Sequence, residues 1–427
     1  MNWTDLGVVE AAGLIIILGA VIQVVMGFSA IALRTADFQR KAAAELGSFK
    51  RHTKILLEQA KVERARTEAS WNGKRKFRID RRVVENEAGD ICSFYLAPHD
   101  GRPVPSFHPG QFLTFELPIP GEPQPVVRCY SLSDSPHDDY YRVSIKLQGP
   151  PPNAPEGTPP GRSSSFFHNH LKEGDIVEAM APAGGFYLNE ETERGVVLIG
   201  GGVGLTPVVS MLNSLIARGS NRDIWFFYGI RNREEHAMAD HLREMDRAHP
   251  NVHVVVCYSR PDGNCEEGVD YNKAGFVSVE LFKSLLESNN YEFYICGPPP
   301  MMDMVTKDLE EWGVPEEDIN FEAFGPATVK KTQEPDPVVS ESQTIEVVFA
   351  KSDRNLNWET ASGTLLEFGE ANGIKMNSGC RSGSCGTCLT ALKEGEIEYV
   401  HRPGKKPEAG SCLVCIARPV ARIVLDA

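Results

Sequence analysis

Three cysteines crowd a short stretch near the C-terminus. Cys380, Cys385 and Cys388 lie at C-x4-C-x2-C in GCRSGSCGTC, and Cys412 and Cys415 follow at a distance. Thiolates at this spacing, with a distant fourth cysteine, form the plant-type donor set for a [2Fe–2S] cluster. Gly379, Gly383 and Gly386 lie around and between the ligands. They let the main chain approach the sulfurs closely and adopt positive φ angles, so that backbone N–H groups face the cluster's negative charge. On spacing alone either Cys412 or Cys415 completes the set. Cys412 and Cys415 also form a C-x2-C pair, which zinc would accept, but the glycine- and serine-rich first loop favours the cluster. The remaining cysteines (Cys92, Cys129, Cys257, Cys265, Cys296) are scattered. That is no disulfide framework and indicates a reducing compartment.

A second group lies at Arg128-Cys129-Tyr130-Ser131. A guanidinium pairs with a diphosphate, a tyrosine ring lies against an isoalloxazine, and a serine hydroxyl reaches the flavin N5 edge. Gly161, Arg162, Ser163, Ser164 and Ser165 then open a predicted helix through FFHNHL, where hydroxyls and N–H groups at a helix start make an anion site. In Val196–Pro207, VVLIGGGVGLTP, a strand, a glycine turn (Gly200, Gly201, Gly202, Gly204) and a helix start with Thr206 as expected N-cap would carry a dinucleotide pyrophosphate. The turn departs from G-x-G-x-x-G at Leu205. Cys296-Gly297-Pro298-Pro299-Pro300-Met301 follows a later strand at the edge where such sheets bind ligands, and Phe321–Pro326 (FEAFGP) closes the region. His168 and His170 are two apart on a helix and face different sides, so they read as structural. Arg231 and Arg233 suit either a 2′-phosphate or a solvated loop.

The elements that position these groups fall into an ordered series. The chain has 427 residues with 41% hydrophobic and 24% charged content, enough for about three domains. Ala11–Leu33 is uncharged and long enough for a transmembrane helix, with Arg34, Arg40 and Lys41 after it. Residues 1–34 are therefore expected as an anchor, with the catalytic domains on the cytoplasmic side of the inner or plasma membrane. Residues 35–75 are expected as a basic juxtamembrane helix or linker against lipid headgroups. Short alternating runs over 76–190, broken by Gly, Pro and Asp, predict an antiparallel β-barrel, with Gly149–Gly161 an irregular proline-rich loop. Strands alternating with helices over 191–326 predict a doubly wound α/β domain. Residues 327–342 read as a linker and 343–427 as an acidic terminal domain. Arg34–Lys76 carries 12 Lys+Arg against 5 Asp+Glu, whereas the net charge of the whole chain is −14. An acidic body excludes nucleic acid as its partner.

Taken in order, R-x-Y-S, GGGVGLTP, CGPPPM and FEAFGP resemble the ferredoxin–NADP reductase superfamily, in particular its flavohaemoglobin-like and oxygenase-reductase members. The last domain resembles a plant-type ferredoxin, of α+β β-grasp fold. The resemblance covers about residues 76–427, and the order flavin, nicotinamide, iron–sulfur is like phthalate dioxygenase reductase. It implies that Arg128, Tyr130 and Ser131 hold the flavin, that Ser164 contacts its phosphates beside Gly161 and Ser165, and that Gly202, Gly204, Thr206, Cys296, Gly297 and Pro298 frame the nicotinamide nucleotide. It also implies that Phe324 stacks on the flavin, and that Ser131, Cys296 and Phe324 stand at the reacting centre. Residues 415–419, CIARP, resemble the ending of plant-type ferredoxins and imply Cys415 as fourth ligand. GRSSSFFHNHL resembles the FAD rather than the FMN version, and overall likeness implies NADH, with NADPH the alternative. The function implied is a membrane-anchored reductase passing electrons from NADH through FAD and the cluster to a membrane-associated oxygenase, desaturase or haem protein. The alternatives are an NADH:quinone reductase and a membrane-tethered redox sensor or scaffold.

Overall fold

Alternating apolar and charged residues draw Arg75–Val84 (β1) into a strand that buries Phe77 and Ile79 and turns Lys76 and Arg78 outward. The computed structural model to which it belongs describes residues 70–71, 73–122, 125–150, 157–324, 344–379, 381, 383, 386–400, 403 and 407–427, with isolated positions 13, 18, 19, 21, 23, 26 and 53. The chain divides into units 1–69 and 70–427, and every domain described below lies in the second.

β1 joins Ile91–Pro98 (β2), Phe112–Leu117 (β3), Val126–Ser131 (β4), Tyr141–Lys146 (β5), the helix Arg162–Asn169 (α1) and Ile176–Ala179 (β6). The strands run in the order β4-β3-β6-β1-β2-β5 with antiparallel neighbours. A bridge between Leu132 and Val143 links the two edges, so the sheet closes on itself. Phe77, Phe94, Phe115 and Phe167 fill the interior.

Val196–Gly201 (β7), Leu205–Ala217 (α2), Ile224–Ile230 (β8), Ala239–Ala248 (α3), Val252–Tyr258 (β9), Lys273–Ala274 (β10), Val279–Leu285 (α4), Glu292–Cys296 (β11), Pro299–Glu311 (α5) and Ile319–Glu322 (β12) build the second domain. Its sheet is parallel throughout, in the order β10-β9-β8-β7-β11-β12. Every residue of β7 and β11 is buried, as a parallel sheet covered on both faces requires. The order reverses between β7 and β11, which opens a crevice at their carboxyl ends.

The third domain sets Ile345–Phe349 (β13), Arg354–Trp358 (β14), Leu389–Glu394 (β15), Ser411–Leu413 (β17) and Ile423–Leu425 (β19) in the order β14-β13-β19-β15-β17. Ile397–Tyr399 (β16) pairs with Ala417–Pro419 (β18). The helix Leu365–Ala371 (α6) starts with a capping box between Thr364 and Glu367 and buries Leu365, Leu366 and Phe368. Thr344–Ala427 carries ten Asp+Glu and ten Lys+Arg, so the expectation of an acidic domain fails: the negative charge resides in the domains before it.

The expected localisation is also corrected. Among the described residues no helix is long and apolar enough to cross a membrane. Ala11–Leu33, the basic segment 35–75 and the linker 327–342 lie wholly or mostly outside the described residues.

Candidate functional site

β4 carries the first set of side chains. Arg128 is exposed, and its guanidinium donates to the Val127 carbonyl at 2.7 Å. Tyr130 is partly buried, edge-on to Phe115 at 5.9 Å and to Phe167 of α1 at 5.3 Å. Desolvation pushes its phenol up, tempered by the Arg128 charge, so it stays a neutral hydroxyl. Ser131 is buried at the end of the strand. α1 packs beside this edge, with Ser163 next to the Tyr130 phenol.

α1 starts without a side-chain cap. A Cβ on Gly161 would meet Gln148 Cβ and Ser164 Oγ at 2.9 Å, so glycine lets the helix start nest against the strand exit. The Ser164 hydroxyl donates to the Gly161 carbonyl and accepts from the Gln148 N–H, both at 3.0 Å. Ser164 therefore ties this junction together. The Ser165 hydroxyl is buried with no hydrogen-bond partner, a state that costs about 1–3 kcal/mol unless something accepts or donates there. An exposed guanidinium, an uncapped helix start and an orphan hydroxyl suit a diphosphate-bearing flavin.

The nucleotide turn is built by close backbone approach. Gly202 has φ +54. A Cβ on Gly201 would lie 2.7 Å from Pro298 Cδ, and one on Gly204 would overlap the Cys296 carbonyl. A Cβ on Gly297 would meet Gly201 Cα at 3.1 Å and overlap Met301. The Gly200–Gly204 and Cys296–Pro298 turns thus press backbone to backbone at the crevice where the strand order reverses. Gly204, not Thr206, is the N-cap of α2; the Thr206 hydroxyl donates to the Val203 carbonyl at 3.1 Å. The helix follows the turn so tightly that Thr206 is already inside it. α5 also starts without a side-chain cap, at Pro298. Uncapped helix starts beside the crevice suit a pyrophosphate. Cys296 is fully buried, and desolvation, reinforced by the Glu322 carboxylate, holds its thiol well above the usual range. It is a neutral packing group at the strand end, directly opposite Glu322 in the β11–β12 ladder. Phe324 packs against the cluster that contains Phe186 of the first domain and Cys296 of the second.

In the third domain Cys388 Sγ lies 3.1 Å from Cys415 Sγ. Cys412 sits within β17 opposite Thr390, and burial, with the neighbouring Cys388, pushes its thiol up to about 12. Cys380 and Cys385 lie outside the described residues. Described positions around them are left-handed, with Arg381 at φ +56 and Gly383 and Gly386 at φ +72. Two thiols converging beneath such a loop fit a cluster whose other two ligands it carries.

Comparison with known proteins bears on the same residues. A model described as oxidoreductase NAD-binding domain matches residues 198–307, and one described as 2Fe-2S iron-sulfur cluster binding domain matches 350–420. The chain is a ferredoxin reductase-like FAD/NAD-binding module joined to a C-terminal 2Fe-2S ferredoxin domain. It is an NAD(P)H-dependent oxidoreductase whose cofactors are FAD, NAD(H) and the 2Fe-2S cluster. A flavohemoprotein of Halalkalibacterium halodurans is 40% identical over 265 residues, 62% of this chain and 63% of its own length. The chain therefore spans about 63% of that curated relative. The flavohem-like FAD/NAD binding domain of nitric oxide dioxygenase from Vibrio cholerae O1 biovar El Tor is 32% identical, with TM-score 0.52 over 59% of this chain and 99% of the other. Phthalate dioxygenase reductase, a modular structure for electron transfer from pyridine nucleotides to [2Fe-2S], is 26% identical, with TM-score 0.53 over 83% and 98%. These likenesses overturn the membrane location expected from Ala11–Leu33.

Two features of the reductase site escaped the sequence reading. Glu322 is buried at the crevice beside Cys296; only its place within FEAFGP could have flagged it. Arg231 and Arg233 form ion pairs with Glu235 and Asp270 respectively, so carboxylates already neutralise both arginines at the exit of β8.

Proposed function

We propose that this reductase oxidises NADH at the paired Gly200–Gly204 and Cys296–Pro298 turns and delivers single electrons, through the cluster held by Cys380, Cys385, Cys388 and Cys415, to an oxygenase or haem protein. The observation that carries this reading is the backbone contact of the two turns at the reversal point of the parallel sheet. Bound FAD would supply the chemistry that couples two-electron hydride transfer from the nicotinamide to one-electron transfer to iron–sulfur. The protein's part is placement. Arg128, the start of α1 at Gly161 and the Ser165 hydroxyl hold the flavin phosphates, with Ser164 bracing the turn behind them. Tyr130 offers a ring and an undissociated phenol, and Ser131 a buried hydroxyl, at the edge of β4. Gly200, Gly201, Gly202, Gly204, Thr206, Gly297 and Pro298 shape the nucleotide crevice. Cys296 stands at its floor as a neutral thiol, and Phe324 covers the approach and excludes water. Preference for NADH follows from Arg231 and Arg233, whose carboxylate partners weaken the field that a 2′-phosphate would need. The oxygenase or haem acceptor rests on the likeness to phthalate dioxygenase reductase in domain order.

Anaerobic titration tests this reading. NADH is expected to bleach both the flavin and the iron–sulfur absorbance, with NADPH at least about tenfold slower, a difference of about 1.4 kcal/mol. Equal rates with NADPH would sink the nucleotide assignment. Cytochrome c serves as a surrogate haem acceptor: its reduction should vanish in Cys415→Ser while ferricyanide reduction persists. Persistence of both would remove the cluster from the route.

A further inference from the structure

Asp134 lies three residues beyond Ser131, where the flavin strand leaves the barrel. Its backbone carbonyl accepts the Ser210 hydroxyl at 2.6 Å, and its carboxylate accepts the Asn213 side-chain amide at 2.8 Å. Ser210 and Asn213 are one turn apart on α2, the helix that begins at the nucleotide turn, and both are buried. Tyr140 donates to the other carboxylate oxygen at 3.2 Å, and Arg142 lies 3.4 Å from it, so the carboxylate is fixed from its own domain. His241 of α3 holds the Asn213 carbonyl oxygen at 2.8 Å, orienting the amide from the other side. A second tie at the far end of α2 joins Arg218 to Glu190, which also meets His108.

We infer that Asp134 is a positioning residue for hydride transfer: it sets the register of α2, and with it the Gly200–Gly204 turn, against the flavin strand. The geometry is specific to this task. One residue ties the end of the R-x-Y-S strand to the helix that carries the nucleotide turn. Both of its bonds fall within the first three turns of that helix. Transfer between two bound rings is steeply sensitive to placement, and a shift of about 1 Å can cost about a hundredfold. Domain docking does not depend on this latch alone. Met238 N–H donates to the Glu85 carbonyl, Ala88 N–H donates to the Glu234 carbonyl, and Lys146 meets Glu235.

The inference rests on NADH entering at the Gly200–Gly204 turn. The test is the double variant Ser210→Ala/Asn213→Ala, which leaves Asp134 and the flavin barrel untouched, with Asp134→Asn as a conservative companion. In anaerobic stopped-flow, the double variant should lower the limiting rate of flavin bleaching by NADH at least about tenfold, with the apparent Kd for NADH changed less than about threefold. Asp134→Asn keeps an acceptor for Asn213 and should recover most of the rate. Hydrogen exchange across residues 203–210 should rise in the double variant, with exchange across β1 to β3 unchanged. A wild-type limiting rate in the double variant, or a loss confined to Kd, overturns the inference. Failure of the entry reading itself would show differently, as no NADH-dependent bleaching in the unaltered protein.

Discussion

Two glycine-rich turns frame the sites proposed for the nucleotide and the cluster, and they need glycine for different reasons. In Gly200–Gly204 the demand is mainly steric: side chains on Gly201 and Gly204 would collide with Pro298 and with the Cys296 carbonyl. Only Gly202 there has a positive φ. In the cysteine loop the demand is conformational. Gly383 and Gly386 both sit at φ +72; a Cβ on Gly386 meets nothing within 4 Å, while one on Gly383 would strike Ile416. The first turn is thus defined mainly by what it packs against and the second mainly by its own backbone, with Gly383 subject to both demands. Glycine richness alone does not say which.

Substitutions can break or sharpen that contrast. The largest effect is expected from Gly204→Ala, whose methyl group has rigid backbone in its way. NADH-dependent flavin reduction should fall at least about a hundredfold, with about 1–3 kcal/mol lost from overpacking. Stopped-flow and thermal melting would measure the two, and a near-normal rate would mean the turns do not need their contact. Next comes the ligand set beneath the other turn. Cys415→Ser should lose the iron–sulfur absorbance and its electron paramagnetic resonance signal in the dithionite-reduced protein, whereas Cys412→Ser should keep both, since Cys415 and not Cys412 converges on Cys388. The reverse result would exchange their roles. The smallest and most diagnostic pair lies in the loop itself. Gly386→Ala should cost about 1–2 kcal/mol from φ alone, and Gly383→Ala roughly 2–4 kcal/mol, because the Ile416 clash adds to the strain. Ile416→Val beside Gly383→Ala should return part of the difference and none of the strain, as read by chemical denaturation.

Much of this organisation was legible in the residues. The C-x4-C-x2-C spacing, the R-x-Y-S run and the glycine turn each carry their chemistry in side-chain type, and the change from alternating to strand–helix texture near residue 195 separated barrel from α/β sheet. The misreadings have physical causes. Thr206 looked like an N-cap because Pro207 after it suits a first helical position, but Gly204 closes so tightly on Cys296 that the helix begins two residues earlier, at Leu205. Ser164 and Ser165 are neighbours of the same type, and only the Gln148 strand exit decides that the first is consumed internally and the second left over. Ala11–Leu33 is legible as an apolar run but lies mostly outside the described residues, and the likenesses to known proteins, not the run itself, overturned the expected location.

The sequence by itself therefore determined which cofactors this protein uses and in what order its domains follow, because those depend on donor atoms and their local spacing. The tertiary structure decided which of two serine hydroxyls is bonded internally, which of two cysteines lies against Cys388, what the glycines pack against, and how Asp134 is bound to Ser210 and Asn213. Those are properties of contact between segments far apart in the chain, and no local spacing encodes which distant groups will meet.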